Sequence, residues 1–216
     1  IPTKKEAESL PTFLKELEDY NFNKLIVLQK EDIETQKAIE KNDEIDILVQ
    51  KNPGYGNALK EGIEATKTEY CCIINADGSM NPKYLKPMLD KCKLNDLVFC
   101  SRYEEGGGSD DDDIVTFIGN KIFTLIGNLF FRLNLSDILY TYIIGKTSSF
   151  KSLTLKYNDF RICVEIPIKA KKRKMKYTTI PSYERSRIGG KKKVNAIKDG
   201  LLISFAMIKL FLLKKK

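Results

Sequence analysis

The sequence predicts an α/β domain, a mainly parallel sheet with helices on both faces, followed by an apolar C-terminal helix. Three observations carry this. Short apolar runs alternate with segments of helical spacing along the chain. Gly, Pro and Asn punctuate the junctions between them. The run Tyr70-Cys71-Cys72-Ile73-Ile74 ends abruptly in Asn75-Ala76-Asp77-Gly78-Ser79. A buried strand that delivers a carboxylate to a turn is how such a sheet presents a metal ligand at its edge. Asp-Gly also serves plain turn geometry, so the remaining segments must decide between the two readings.

Taken in order, Ile1-Pro2-Thr3 reads as the end of a first strand, truncated because the chain starts without Met. Residues 6–20 follow with Leu10, Phe13, Leu14 and Leu17 on one helical stripe. Lys24–Leu28 is a short buried strand, residues 32–41 a polar helix, and Ile45–Val49 a third strand. Pro53-Gly54-Tyr55-Gly56 turns the chain into a helix from Asn57 to Thr66. The strand at 69–74 precedes Asn81-Pro82, an N-cap with Pro at the first helical position. A fifth strand is expected at 96–100.

Glu104 to Asp113 combines three glycines with four consecutive aspartates, either a solvated loop or a mobile lid beside a site. Residues 114–133 are apolar at helical spacing but interrupted by Thr116, Asn120, Thr124 and Asn128. They predict a helix packed on the domain or lying at a lipid interface rather than a membrane span. A helix at 159–173, a strand at 176–180, a connector at 181–193 and a last helix at 194–213 complete the chain. The apolar part of that helix, residues 201–213, rises only about 20 Å, short of a ~30 Å hydrocarbon core. Flanked by Lys214-Lys215-Lys216, it suits an in-plane anchor on an anionic membrane surface, or docking on the domain or a second subunit.

At 216 residues, 42% hydrophobic and 31% charged, the chain has a proper core and is not disordered. Its net charge of +8 concentrates in residues 169–174, 185–193 and the terminal lysines, which points to phosphates or an anionic bilayer. The basic runs lack the interleaved aromatics of a nucleic-acid reader, so no nucleic acid is expected. Histidine is absent, which removes the commonest general base and metal ligand. The five cysteines show no C-x-x-C spacing and read as buried free thiols in a reducing cytosol, with no signal peptide. Cys71 and Cys72, adjacent in a strand, should face opposite sides of the sheet.

In order and spacing these segments resemble the family-2 glycosyltransferases, and within them the branch around dolichol-phosphate mannose synthase and related polyprenyl-phosphate sugar transferases. Pro2-Thr3-Lys4-Lys5-Glu6 is similar to an opening P-T-x-N-E motif, and Asn57–Ile63 to the helix after the third strand. Asn75-Ala76-Asp77-Gly78-Ser79 occupies the D-x-D position, and Ser101-Arg102-Tyr103 with Gly106-Gly107 an acceptor-side segment. Asp137 and Tyr142 match part of a D-x-x-x-G-Y-R stretch, and Glu165 a carboxylate of the following helix. Arg187 to Lys193 resembles an R-x-x-G-x-S-K segment.

The resemblance implies a GT-A, Rossmann-like domain over 1–193 with a membrane-interface helix at 194–216. It implies inverting transfer of a sugar from a nucleotide-diphosphate donor to a lipid phosphate or a nascent glycan, at the cytoplasmic face of a membrane. Pro2, Thr3, Glu6, Gln29, Asn57, Asn75, Ala76, Asp77 and Ser79 would bind the donor. Asp77 and Asn75 would hold Mg2+ or Mn2+. Arg102, Asp137, Glu165, Arg187 and Lys193 would serve the phosphates and acceptor, with Asp77 and Arg102 at the catalytic centre. The sequence departs from the pattern at Gln29 and Lys30, where the second strand ends in acids in the family, with Glu31 or Asp32 as substitutes after a register shift. It departs again at Asn75, Thr141 and Ile143. These losses set up an alternative: a non-catalytic domain of the same fold that binds a membrane or protein partner.

Overall fold

The apolar runs assemble into two adjoining sheets in a computed structural model that describes residues 1–190, 192–193 and 195–213. The first sheet holds β1 (Pro2–Thr3), β2 (Lys24–Leu28) and β3 (Ile45–Val49), all parallel, in that order. The second has the order β4 (Tyr70–Ile73), β7 (Ile143–Lys146), β5 (Leu97–Ser101), β8 (Tyr177–Pro181). There β5 and β8 are parallel, and β7 runs antiparallel between β4 and β5. Ile1 and Pro2 share a crevice with Cys71 and Ile73, so the sheets meet at β1 and β4. The residues just past β1, β2, β3 and β4 (Lys4, Gln29, Gln50 and Asn75) line one cavity, which places these strand ends at one edge.

Helices cover both faces: α1 (Leu10–Glu18), α2 (Ile33–Ile39), α3 (Tyr55–Ala65), α4 (Leu85–Cys92), α5 (Ile114–Phe131), α6 (Thr147–Ser152), α7 (Ile162–Lys172) and α8 (Ala196–Leu212). The period-2 alternation of strands sorts the core into two halves. Val98, Cys100, Tyr142 and Ile144 face Phe13, Leu14 and Met88 from α1 and α4. Leu97, Phe99 and Ile143 face Val164, Ile166 and Met207 from α7 and α8. Cys71 and Cys72 pack against these opposite halves, as the alternation requires, and all five cysteines are free thiols. Phe13 and Val98 are fully buried, each contributing about 1.5–3 kcal/mol of transfer free energy.

Several elements differ from expectation. The first helix starts at Leu10 rather than residue 6, because Lys5 adopts φ +53° and Pro11 occupies the first turn. Strand β7 and helix α6 are additional: a four-residue strand gives too short an apolar run to be told from a loop by periodicity. The Gly-Asp segment is not simply solvated, since β6 (Gly108–Ser109) pairs with β9 (Tyr183–Glu184).

Helix α5 is inside-out. Asn120 and Thr124 are buried against the domain, where Asn120 donates to Asp137 and the Ile138 N–H donates to the Thr124 hydroxyl at 3.1 Å. Asn128 exchanges two hydrogen bonds with the Leu135 backbone, while Ile118, Ile122, Leu125 and Leu129 face outward. By length and composition it is the one helix among the described residues able to cross a membrane. Helix α8 lies along it through Phe211, edge-on to Phe130 and Phe131, and exposes Leu201, Phe205 and Ile208. Its other side, Ile203, Ala206, Met207 and Leu210, belongs to the core, so α8 is continuous with the domain. Val194 and the three terminal lysines lie outside the described residues.

Candidate active site

The turn after β4 folds around Asp77. Its Oδ1 accepts from the Ser79 N–H at 3.1 Å and the Ser79 hydroxyl at 2.8 Å, a short-range Asp turn closed by Gly78 at φ +75°. That leaves Oδ2 for Arg187, 3.4 Å away. The connector after β9 is laid along this turn by backbone bonds: Arg185 N–H donates to Ser79 C=O and Ile188 N–H to Asp77 C=O, both at 2.9 Å. Arg185 also donates to Gly78 C=O and to Glu16. Arg187 is thereby held over the carboxylate that the sheet edge presents.

Two cavities meet here. The larger, about 400 Å3, lies under the ends of β1 to β4; the smaller, about 210 Å3, lies toward β9 and the start of α5. Tyr55, Asn75, Asp77, Phe160, Arg187 and Lys193 line both. Tyr55 stacks on Phe160 at 4.9 Å, and its hydroxyl reaches Thr141 at 2.7 Å and Asn75 Oδ1 at 3.3 Å. Burial raises the Tyr55 phenol well above its ordinary value, so it stays neutral. Lys193 pairs with Glu6, whose second oxygen accepts from Ser9 at 2.6 Å.

Of the residues expected to bind the donor, Pro2, Thr3, Glu6 and Gln29 line the larger cavity. Asn75, Ala76 and Asp77 form its floor at the end of β4, and Ser79 borders the smaller cavity. Asp32 does not replace the missing acids: it is buried, accepting from Lys5 N–H at 2.6 Å and Thr35 at 2.8 Å. Asn57 lines neither cavity. It donates to Pro53 C=O at 2.7 Å and so fixes the turn into α3 instead of facing a cavity.

Glu165 also departs from its expected acceptor role. Almost fully buried in α7, it accepts from the Lys156 and Tyr157 N–H groups and pairs with Lys169 at 2.7 Å. It orders the loop that carries Phe160. Ile143 stands in the core of β7, where an arginine could not be accommodated without a partner.

Arg102 borders the smaller cavity but is not a free cation. Asp137 accepts from it bidentately at 2.7 and 3.1 Å, and Glu184 accepts at 3.0 Å. The side chain is only 11% exposed and Asp137 is fully covered. Burial would lower the guanidinium pKa, yet Asp137 and Glu184 raise it well above its ordinary value. Asp137 is thus engaged by Arg102 and Asn120. Glu184 is itself shifted upward by burial, against the pull of Arg102 and Ser109.

Sequence reasoning missed Tyr55, Phe160, Asp111, Glu184 and Lys192 as cavity residues. A signal existed for Asp111: a run of aspartates complements the basic run 185–193. Lys191, within that run, lies outside the described residues.

Among the described residues, no group of three or more His, Cys, Asp or Glu side chains could enclose a metal. Asp77 and Asn75 nevertheless offer oxygen donors to the wall shared by both cavities. Mg2+ is commonly held by one or two carboxylates with waters and substrate phosphates, and such a donor set fits.

The glycosyl transferase family 2 model matches residues 1–154. Glycosyltransferase AglJ of Haloferax volcanii is 26% identical over 208 residues, covering 94% of this chain and 67% of AglJ. Among solved structures, glucosyl-3-phosphoglycerate synthase of Mycobacterium tuberculosis with Mn2+, UDP-glucose and phosphoglyceric acid aligns with a TM-score of 0.73 at 11% identity, over 97% of this chain and 77% of that one. Its complex with UDP gives 0.70 at 13% identity, over 97% and 78%. At that identity the likeness is one of fold. The family match spans well over half of the sequence: the chain belongs to glycosyl transferase family 2 and is a glycosyltransferase of GT-A fold.

Proposed function

We propose that the chain transfers a sugar from a nucleotide-diphosphate donor to a lipid phosphate, with inversion, on the cytoplasmic face of a membrane. The observation that carries this reading is the convergence of two cavities on Asp77, Arg187 and Lys193. The larger takes the nucleoside between Thr3, Gln29 and Gln50, which brings the diphosphate to the cations at the shared wall. Arg187 can meet it as a fork and Lys193 as a point charge. A divalent ion on Asp77 and Asn75 would add neutralisation of the departing diphosphate.

The smaller cavity takes the acceptor. Its carboxylates are engaged: Asp111 with Arg187 and Lys192, Asp112 with Thr116, Glu184 with Arg102. Together with the neutral Tyr55 and the lack of histidine, this favours an acceptor that needs no general base. A phosphate oxygen is already anionic and can attack the anomeric carbon opposite the leaving diphosphate, which inverts the centre. The outward apolar faces of α5 and α8 suit an in-plane seat on an anionic leaflet, which would bring a lipid phosphate to the cavity mouth.

The donor half is tested by titrating UDP and GDP, with and without Mn2+, while following thermal unfolding. Metal-dependent stabilisation by one nucleotide, lost in Asp77→Asn, is expected; stabilisation by neither would remove the donor site. The membrane half is tested by co-sedimentation with phosphatidylglycerol vesicles. Leu125→Glu with Phe205→Glu, both exposed, should release the folded protein, and unchanged binding would place the contact elsewhere.

One observation favours the alternative, a non-catalytic domain that binds a membrane or protein partner. Asn75 replaces a charged ligand and its oxygen already accepts from Tyr55. Vesicle binding without any nucleotide response would select that reading.

A further inference from the structure

The acidic run that the sequence left ambiguous folds back onto the basic connector. Asp111 lies in the smaller cavity with Oδ1 and Oδ2 each 3.4 Å from the Arg187 fork and Oδ2 3.6 Å from Lys192 Nζ, which also bonds the Asp111 carbonyl. Charge-assisted N–H···O bonds normally measure about 2.7–2.9 Å. The geometry is therefore that of a carboxylate placed opposite a fork and a lysine without drawing either into close contact. Arg187 is 20% exposed and Lys192 38%, so solvent and solutes reach the cluster.

We infer that Asp111 is an internal stand-in for a phosphate monoester, and that the acceptor's phosphate binds Arg187 and Lys192 by displacing it. This inference rests on the proposed acceptor reading. A phosphate monoester carries about −1.5 to −2 charges and three acceptor oxygens near neutral pH, so it can satisfy the arginine fork and the lysine together where one carboxylate does so loosely. The chain path supplies the direction of arrival. Asp113 caps the start of α5 and Asn195 caps the start of α8, so both halves of the clasp lead directly into the helices that expose apolar faces. A phosphate on a lipid held under those faces emerges beside Asp111. Asp111 follows the last backbone bond of the β6–β9 pair, Asp110 N–H to Glu184 C=O at 2.9 Å, so its displacement is a movement of the side chain that leaves the pairing in place.

The test compares Asp111→Asn with Asp110→Asn. Both remove one negative charge, but Asp110 is exposed and bonds Tyr183 outside the cavity. Affinities for farnesyl phosphate, inorganic phosphate and UDP are measured calorimetrically on each full chain, with melting curves to confirm folding. Asp111→Asn should tighten farnesyl phosphate about three- to fivefold, the upper part of the scale of one partly exposed ion pair. Asp110→Asn should stay within about twofold of the parent, since a screened surface charge acts weakly.

Equal gains in both variants would reduce the effect to net charge and overturn the inference, as would no gain in Asp111→Asn. A gain for inorganic phosphate alone would overturn the lipid source, and a gain confined to UDP would mean that Asp111 competes with the donor diphosphate only, which would overturn the inference about the acceptor. Failure of UDP to bind any form would count against the donor reading while leaving this comparison intact.

Discussion

Two arginines border the same cavity and are built in opposite ways. Arg102 projects from the end of β5, is 11% exposed, and is gripped by Asp137 at 2.7 Å and Glu184 at 3.0 Å. Arg187 projects from the connector, is 20% exposed, and meets Asp77 and Asp111 only at 3.4 Å. In both, burial opposes the charge and neighbouring carboxylates outweigh it. The difference lies in commitment. A cation desolvated into a tight bidentate pair holds structure together and resists exchange; a cation in a loose, solvent-reached pair can trade its carboxylates for a ligand. Sequence motifs single out both residues, and only their partners separate the tightly held cation from the loosely held one.

The largest expected effect falls on the scaffold side. Asp137→Ala leaves Arg102 buried with Glu184 as its remaining close acid, and should cost about 3–5 kcal/mol by urea unfolding. A cost below 1 kcal/mol would mean the cluster is not the structural pin described. Cys100, two residues before Arg102, reports on the same region, since burial pushes its thiol up to about 12. Iodoacetamide at pH 8 should leave Cys100 unmodified in the native chain and label it faster in Asp137→Ala. Rapid labelling of the parent would break the contrast.

On the exchangeable side, Arg187→Ala should change stability by no more than about 1 kcal/mol. It should nevertheless weaken UDP at least tenfold, about 1.4 kcal/mol of binding. If Arg187→Ala unfolded the chain, the two arginines would not differ as argued.

The smallest effect is a pH dependence. The folded pKa of Glu184 is raised by burial above its ordinary value. Its contribution to stability is therefore present below the ordinary carboxylate range and is lost as pH rises through the raised value. The parent should lose stability between acid and neutral pH relative to Glu184→Gln; a difference that does not change with pH would contradict this.

How much of this was legible in the sequence follows from what each signal encodes. Apolar runs and turn residues located the parallel strands and the Asp77 turn, because burial and backbone punctuation are local. Strand β7 was not legible: its four residues owe their conformation to neighbours on both sides that are distant in the chain. Thr3, Gln29 and Asp77 line one cavity at the strand ends, since a parallel sheet gathers those ends at one edge. Glu165 and Asn57 carried motif-like spacing but serve backbone N–H and C=O groups, a distinction visible only once their partners are known. The role of α5 was half legible. Its Thr116-Asn120-Thr124-Asn128 stripe reads as polarity unfavourable to a membrane, and the fold turns most of that stripe inward.

The central claim is that ligand exchange happens at Arg187 and not at Arg102. Arginine Nε–Hε resonances, assigned with Arg187→Lys and Arg102→Lys variants, test it directly during titration with UDP and Mn2+. The account predicts that the Arg187 signal shifts with saturation while the Arg102 signal stays in place. Movement of Arg102 with Arg187 unchanged would contradict it.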